Sequence, residues 1–496
     1  MIDLNNTTLS SLPSGVQRFS YDRSAVTAGI VHLSVGNFHR AHQAWYIDRL
    51  LALPGNEHWG LCGVGLIDDA TERLKTVTFP QQDDLYTLTQ FPPEGEELHQ
   101  VIGSIVEYMF APTSQEEVLA KLSSPAIRIV SMTITEGGYN QDKHTGDYRL
   151  DAPATVAELA NPRTPRTAFG FIVEALRRRR DAGTAPFTVL SCDNLRNNGS
   201  VARSAVLSHA KALDPELGRW IEANVTFPSC MVDRITPAVR KEDAKRINDS
   251  CGVVDLLPVF SEDFAQWVVE DDFCNGRPPF ELVDVQMVDD VHPYELAKVR
   301  LLNASHSMLA YPGQLAGLAQ VNEALAEPLI RRLLDGFMEH DVIVHLTAPP
   351  GMDLRVYKEK LLARFSNPAV GDQLARITSD GAAKLPVFLG STMNDVIGAG
   401  GDVRRLAFGL ACFVRYLGGV DDNGKPFQPF EPNLDPADKA LALDADPRAA
   451  LRMSLLHGFG ITENGPFAET FVRLRAELAE KGALATLAGV LDQPDS

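Results

Sequence analysis

The stretch GIVHLSVGNFHRAHQ, Gly29–Gln43, reads as a strand (Gly29–Val35), a turn at Gly36 and the start of a helix. A short apolar run without polar alternation suits a parallel strand covered on both faces. A glycine just before a helix lets a ligand come close to the helix N-terminus, where unpaired N–H groups meet phosphate oxygens. This is the form of the first strand–turn–helix of a dinucleotide-binding fold. The turn is poor in glycine, because Ser34 and Asn37 stand where further glycines are expected. The segment Val35, Gly36, Asn37, with Phe38 and Arg40 behind it, is the candidate cofactor contact.

Working outward, three more runs read as buried parallel strands: Trp59–Leu66, Ala126–Thr135 and Pro186–Cys192. Between them lie helical stretches such as RAHQAWYIDRLLAL, SQEEVLAKLSS and GFIVEALRRRRDAG. That alternation predicts an α/β fold with a doubly wound sheet. The second run leads into Ile67, Asp68 and Asp69. A carboxylate at that place holds the adenosine ribose hydroxyls and repels a 2′-phosphate, so NAD is expected over NADP. Asp68 serves equally well as the cap of the helix in DATERLKTV, and the sequence leaves both readings open. His32, His39 and His42 invite a metal, but no carboxylate or thiol at ligand spacing accompanies them, and none is expected.

Beyond about residue 290 strand-like runs nearly vanish and helical spacing takes over. The Gly, Pro and acidic clusters of FCNGRPPFELVDVQMVDDVHP mark the change, giving a Rossmann-type domain over 1–287 and a mainly α-helical domain over 288–496. In the second, ELAKVRLLNASH (Glu295–His306) is apolar almost all round yet carries four functional side chains. On a regular helix with Lys298 at zero, Glu295 falls near about 60°, His306 near about 80° and Asn303 near about 140°. Burying a lysine is costly unless it is paired or neutral. Either these groups line a wet cleft, or the helix reading is wrong.

With 46 basic and 65 acidic residues the net charge is −19, which argues against binding nucleic-acid backbones or anionic membranes. The six cysteines are scattered, most of them among apolar neighbours, and read as reduced thiols of a cytoplasmic protein. The first fifteen residues lack the basic and apolar regions of a signal peptide, and the run LAFGLACFV is too short to span a bilayer.

Taken in order from about residue 29 to beyond 420, VGNFHRAHQ, CGVGL, SMTITEGGY, SCDNLRNNG, MVDRITP, GRPPFELV, YELAKVRLLNASHS and RFSNPAV resemble the polyol-specific long-chain dehydrogenases. The likeness is strongest to the mannitol 2-dehydrogenases of that family, through CGVGL, YMFAP and GRPPFELV. The resemblance implies NAD(P)-dependent, zinc-independent hydride transfer at a secondary alcohol, here D-mannitol to D-fructose with NAD. D-arabinitol or sorbitol oxidation and fructuronate reduction (D-mannonate oxidoreduction) are the family alternatives. It implies Lys298 as general base, Asn194 and Asn303 as the oxyanion site and His306 as a substrate-orienting group. Asp233, Arg376 and Lys384 would line the polyol pocket. Glu295 is either a proton relay to Lys298 or its ion-pair partner one turn away. Burial in a cleft between the domains, beside bound NAD⁺, is expected to lower the pKa of Lys298. The implied partners are a small polyol or ketose only, with no nucleic acid or membrane, and the expected state is a monomer or weak homo-oligomer. The chain departs from the family at Ser34, Asn37 and Ala304, where glycine is usual (or alanine at 37), and at Asp263, usually proline.

Overall fold

Five parallel strands, β1 (Ala28–Leu33), β2 (Gly60–Gly65), β3 (Ile105–Phe110), β4 (Ile129–Met132) and β5 (Thr188–Ser191), pair in the order β3-β2-β1-β4-β5. This is the strand order of a dinucleotide-binding sheet, and it reverses direction of growth at β1, beside the glycine turn. The computed structural model describes residues 1–142, 145–462 and 464–492, and its chain divides into two units, Met1–His292 and Pro293–Ser496.

The strands lack polar alternation because helices cover both faces. Val31, Leu33, Val64 and Val130 pack with Phe171 and Ile172 on one side. Ile30, Leu61 and Ile129 pack with Ile47 and Leu50 on the other. Strand β3 escapes the sequence reading because it is an edge strand whose middle, including Glu107, is only half-buried. Besides the two-stranded pair Ile2–Asp3 with Val253–Val254, two further sheets belong to this unit. Val259–Glu262, Tyr86–Phe91, Leu98–Ile102 and Val16–Gln17 form one, and Cys230–Asp233, Gln266–Glu270 and Gln286–Val288 form the other. The helix expected over residues 40–53 is broken at His42, which has φ −119° and ψ −86° and donates from Nε2 to Gln266 O.

The second unit contains no strand among its described residues. Its core helix, Ala304–Leu315, buries nearly every side chain against Leu333, Leu334, Leu410 and Phe413. The preceding residues correct the regular-helix reading. His292–Ala297 is α-helical, but Lys298–Asn303 is a π turn, closed by Ala304 N–H donating to Val299 O. A second π turn, Phe337–Val342, is closed in the same way by Ile343 N–H on Met338 O. Residues five apart on such a turn no longer diverge as they would on an α-helix. The wheel drawn from the sequence therefore misplaces Asn303 relative to Lys298.

Candidate active site

The nucleotide turn follows β1. Ser34 adopts φ +73°, a conformation that favours glycine, which is the physical reason a glycine suits this place. Gly36 is the N-cap of Asn37–Ala41; a Cβ there would meet nothing within 4 Å, and no side chain caps the helix start. Open space and uncapped N–H groups at the switch point of the sheet fit a bound pyrophosphate. Asn37 Oδ1 accepts from Arg40 Nη2 at 2.8 Å, and Arg40 also donates to Leu257 O while lying over the Tyr86 ring. The Arg40 guanidinium is thus turned into the protein. Val35 is fully buried and Phe38 stacks on His42.

Sequence reasoning missed the support beneath this turn. Lys75, buried on Ala70–Gln81, donates to Val35 O at 2.7 Å and pairs with Glu72, whose other oxygen accepts from Tyr108 at 2.8 Å. Its neighbour strand must stay bare to admit this network: a Cβ on Gly65 would sit 2.6 Å from the Glu72 carboxylate. At the end of β2 the two aspartates divide the roles left open by the sequence. Asp69, not Asp68, caps the helix, accepting from Glu72 N at 2.8 Å. Asp68 takes a two-pronged bond from Arg73, at 2.5 and 2.8 Å, on the surface.

After β5, Asn194 lies exposed on a loop set by its neighbour. The buried Asp193 carboxylate accepts from Ile134 N, Thr135 N and Tyr139 Oη at 3.0, 2.7 and 2.7 Å. Burial raises its pKa, and those three donors oppose the rise. Asn198 closes the loop by donating to Asp193 O and Cys230 O. Asp233 is buried at the end of Cys230–Asp233, paired in register with Gln266.

In the second unit Glu295, Lys298 and Asn303 are all buried, at 5%, 7% and 9% exposure. Asn303 keeps its amide oxygen buried without a hydrogen-bond partner. His306 is half-buried and stacks on Phe365, ring centroids 4.3 Å apart. Ala304 is wholly buried beneath them. Arg376 forms two bonds to Asp372, at 2.7 and 2.6 Å, and Lys384 Nζ donates to Ser379 O at 2.6 Å.

The ring nitrogens of His32 bond Ser131 Oγ and Thr133 Oγ1, whereas both of His39 are buried without a hydrogen-bond partner. His39 stacks on His32 with centroids 3.4 Å apart, and His42 bonds Gln266 O. Among the described residues no group of three or more His, Cys, Asp or Glu side chains is arranged to hold a metal ion. All six cysteines are free thiols. No helix among the described residues is long and apolar enough to cross a membrane.

A dinucleotide-binding sheet, followed by a helical unit with lysine, asparagine and histidine on one buried helix, defines a two-domain dehydrogenase. Residues 28–282 match the mannitol dehydrogenase Rossmann domain and residues 290–478 the mannitol dehydrogenase C-terminal domain. The chain belongs to the mannitol dehydrogenase family. A polyol:NADP oxidoreductase of Gluconobacter oxydans is 47% identical, covering 97% of this chain and 99% of its own. A mannitol 2-dehydrogenase of Neosartorya fischeri is 41% identical, covering 99% of each chain. Among solved structures, substrate-free D-sorbitol dehydrogenase superposes with a TM-score of 0.93 at 45% identity, covering 98% of this chain and all of its own. The Pseudomonas fluorescens mannitol 2-dehydrogenase complex with NAD and D-mannitol gives 0.88 at 41% identity, covering 99% of this chain and all of its own.

Proposed function

We propose that this protein interconverts D-mannitol and D-fructose, with Lys298 as the general base. It is an NAD-dependent oxidoreductase acting on CH–OH groups. NAD supplies the hydride acceptor when bound, and the residues that would hold it are the Val35–Gly36–Asn37 turn and the carboxylate end of β2. Lys298 takes the hydroxyl proton of the carbon being oxidised. The amides of Asn194 and Asn303 donate to the oxygen as negative charge develops there. His306, steadied by Phe365, orients the same oxygen, and Glu295 passes the proton on to solvent.

The observation that carries the reading is the buried amide oxygen of Asn303, one π turn from the buried Lys298. Buried polar atoms nearly always have partners, so an acceptor without one suits a neighbouring hydroxyl of the polyol, the Nδ2 donor of the same amide being left for the alkoxide. A neutral polyol is favoured over a uronate because the Arg376 charge is already met by Asp372. Sorbitol and arabinitol are the nearest competitors, since they differ from mannitol only in stereochemistry or length.

Side-by-side assay of D-mannitol, D-sorbitol, D-arabinitol and D-mannonate tests the substrate, and the highest kcat/KM is expected for mannitol. A higher value for mannonate overturns the neutral-polyol reading. Lys298→Ala should lose most activity in both directions and regain part of it with added primary amines. Oxidation should rise with pH and reduction should fall, because the base must be unprotonated in one direction and protonated in the other. Near-normal turnover of Lys298→Ala with an unchanged pH profile removes Lys298 from this role.

A further inference from the structure

Lys298 and Asn303 are five residues apart. On an α-helix they would diverge by about 140°. On a turn closed by i→i+5 bonds, which takes more residues per turn, that divergence shrinks. The π turn is therefore what lets one short segment present a base and an amide together. Single π turns are rare in helices and occur often at functional sites, so something must hold this one against relaxing to α geometry.

Arg300 sits inside the turn and is buried. Its Nε donates to Thr392 Oγ1 at 3.0 Å, and its Nη2 lies 2.8 Å from Asp395 Oδ2, close but poorly angled for a hydrogen bond. Both partners belong to the helix Gly381–Gly398, and Thr392 is fully buried. The second π turn, Phe337–Val342, lies against the first and against the same helix. It too is tied by one buried guanidinium: Arg405, on Arg404–Tyr416, donates from Nε and Nη2 to Asp341 at 2.8 and 2.9 Å. Two adjacent π turns are thus each tied by a buried arginine that faces a carboxylate.

We propose that Arg300, acting through Thr392 and Asp395, is the positioning residue that holds the π turn and so keeps Lys298 and Asn303 in register for hydride transfer. The inference rests on Lys298 being the general base. Arg300 touches neither substrate nor cofactor in this scheme. Thr392 and Asp395 both belong to the same unit as the π turn. A buried guanidinium that merely tied two helices together would stabilise the unit without separating turnover from cofactor affinity.

The test compares Arg300→Met, Arg300→Lys and Asp395→Asn with the unmodified enzyme, using NAD and D-mannitol. Arg300→Met is expected to lower kcat by roughly 100-fold, the cost of a misplaced catalytic group, with the KM for NAD unchanged. Arg300→Lys should recover part of the loss, because an ammonium reaches one of the two partners but not both. Added guanidinium ion should raise the kcat of Arg300→Met. Asp395 is half-exposed, so Asp395→Asn keeps the fold and tests the same contact should Arg300→Met not fold; its kcat should fall by about tenfold. Unchanged kcat in Arg300→Met or Asp395→Asn overturns the proposal. So does Arg300→Lys no better than Arg300→Met, or a loss of kcat matched by an equal loss of NAD affinity and thermal stability. Lys298→Ala separates the two readings. Normal turnover there refutes the base assignment, whereas an inactive Lys298→Ala beside fully active Arg300 and Asp395 variants refutes only the positioning role.

Discussion

Replacing His32 with glutamine should flatten the acid sensitivity of the first unit. His32 lies buried on β1, its ring nitrogens 2.8 Å from Ser131 Oγ and 3.0 Å from Thr133 Oγ1, its face against His39. Burial lowers its pKa from 6.5 to about 3, and it pushes His39 well down as well. A depressed folded pKa means the stability is complete above the unfolded value of 6.5. It is lost as pH falls toward 3, because the unfolded imidazole takes up a proton that the fold refuses. Between pH 7 and pH 5 this costs about 2 kcal/mol. Asp48 works in the opposite sense. Burial raises its pKa from 3.8 to about 6 despite donors from Tyr21 and Gly103, so its contribution is complete below 3.8 and lost as pH rises through 6. Acidification from pH 7 to pH 5 therefore returns about 1 kcal/mol through Asp48. Because the slopes oppose, the informative quantity is the difference between wild type and His32→Gln at the two pH values. All four tryptophans, Trp45, Trp59, Trp220 and Trp267, lie in the first unit, so tryptophan fluorescence in urea follows that unit alone. The stability difference between wild type and variant should shrink by about 2 kcal/mol from pH 7 to pH 5. A difference that stays constant refutes the claim that burial holds His32 neutral. For Asp48→Asn the shift should run the other way.

Three further outcomes are expected. Asn194→Ala and Asn303→Ala should each slow turnover by about 3 kcal/mol while leaving NAD binding nearly intact; pre-steady-state hydride transfer measures this, and unchanged rates remove both from the alkoxide site. Asp68→Asn should release Arg73 toward a 2′-phosphate and raise kcat/KM with NADP by about tenfold, whereas Asp69→Ala should mainly cost about 1 kcal/mol of stability through the lost cap. Parallel kinetics with both cofactors decide this, and equal wild-type efficiency with NAD and NADP would count against the carboxylate reading. Ser34→Gly should relieve the positive φ, stabilise the first unit by about 1 kcal/mol or less and tighten NAD; urea unfolding and cofactor titration report the two effects.

The order of strands and helices was legible because burial on both faces writes continuous apolar runs, as in Gly29–Val35, and because helices carry their own period. The odd chemistry of Glu295–His306 was legible for a related reason: a lysine, an asparagine and a histidine in an apolar helix are costly, and the cost shows in composition alone. Local sequence also placed a carboxylate at the end of β2. What it could not assign is the partner of any buried polar group, since partners meet across the fold. Lys75 reaches Val35 across 40 residues of chain, Asp193 holds Ile134 across 59, and Arg300 reaches Thr392 across 92. The same limit divided Asp68 from Asp69, whose side chains are chemically alike and were separated only by which neighbour each could reach. The π turn is the clearest case. Side-chain periodicity reports which residues are buried, but the choice between i→i+4 and i→i+5 bonds is made by how the flanking helices pack. Tertiary structure alone therefore set the angle between Lys298 and Asn303.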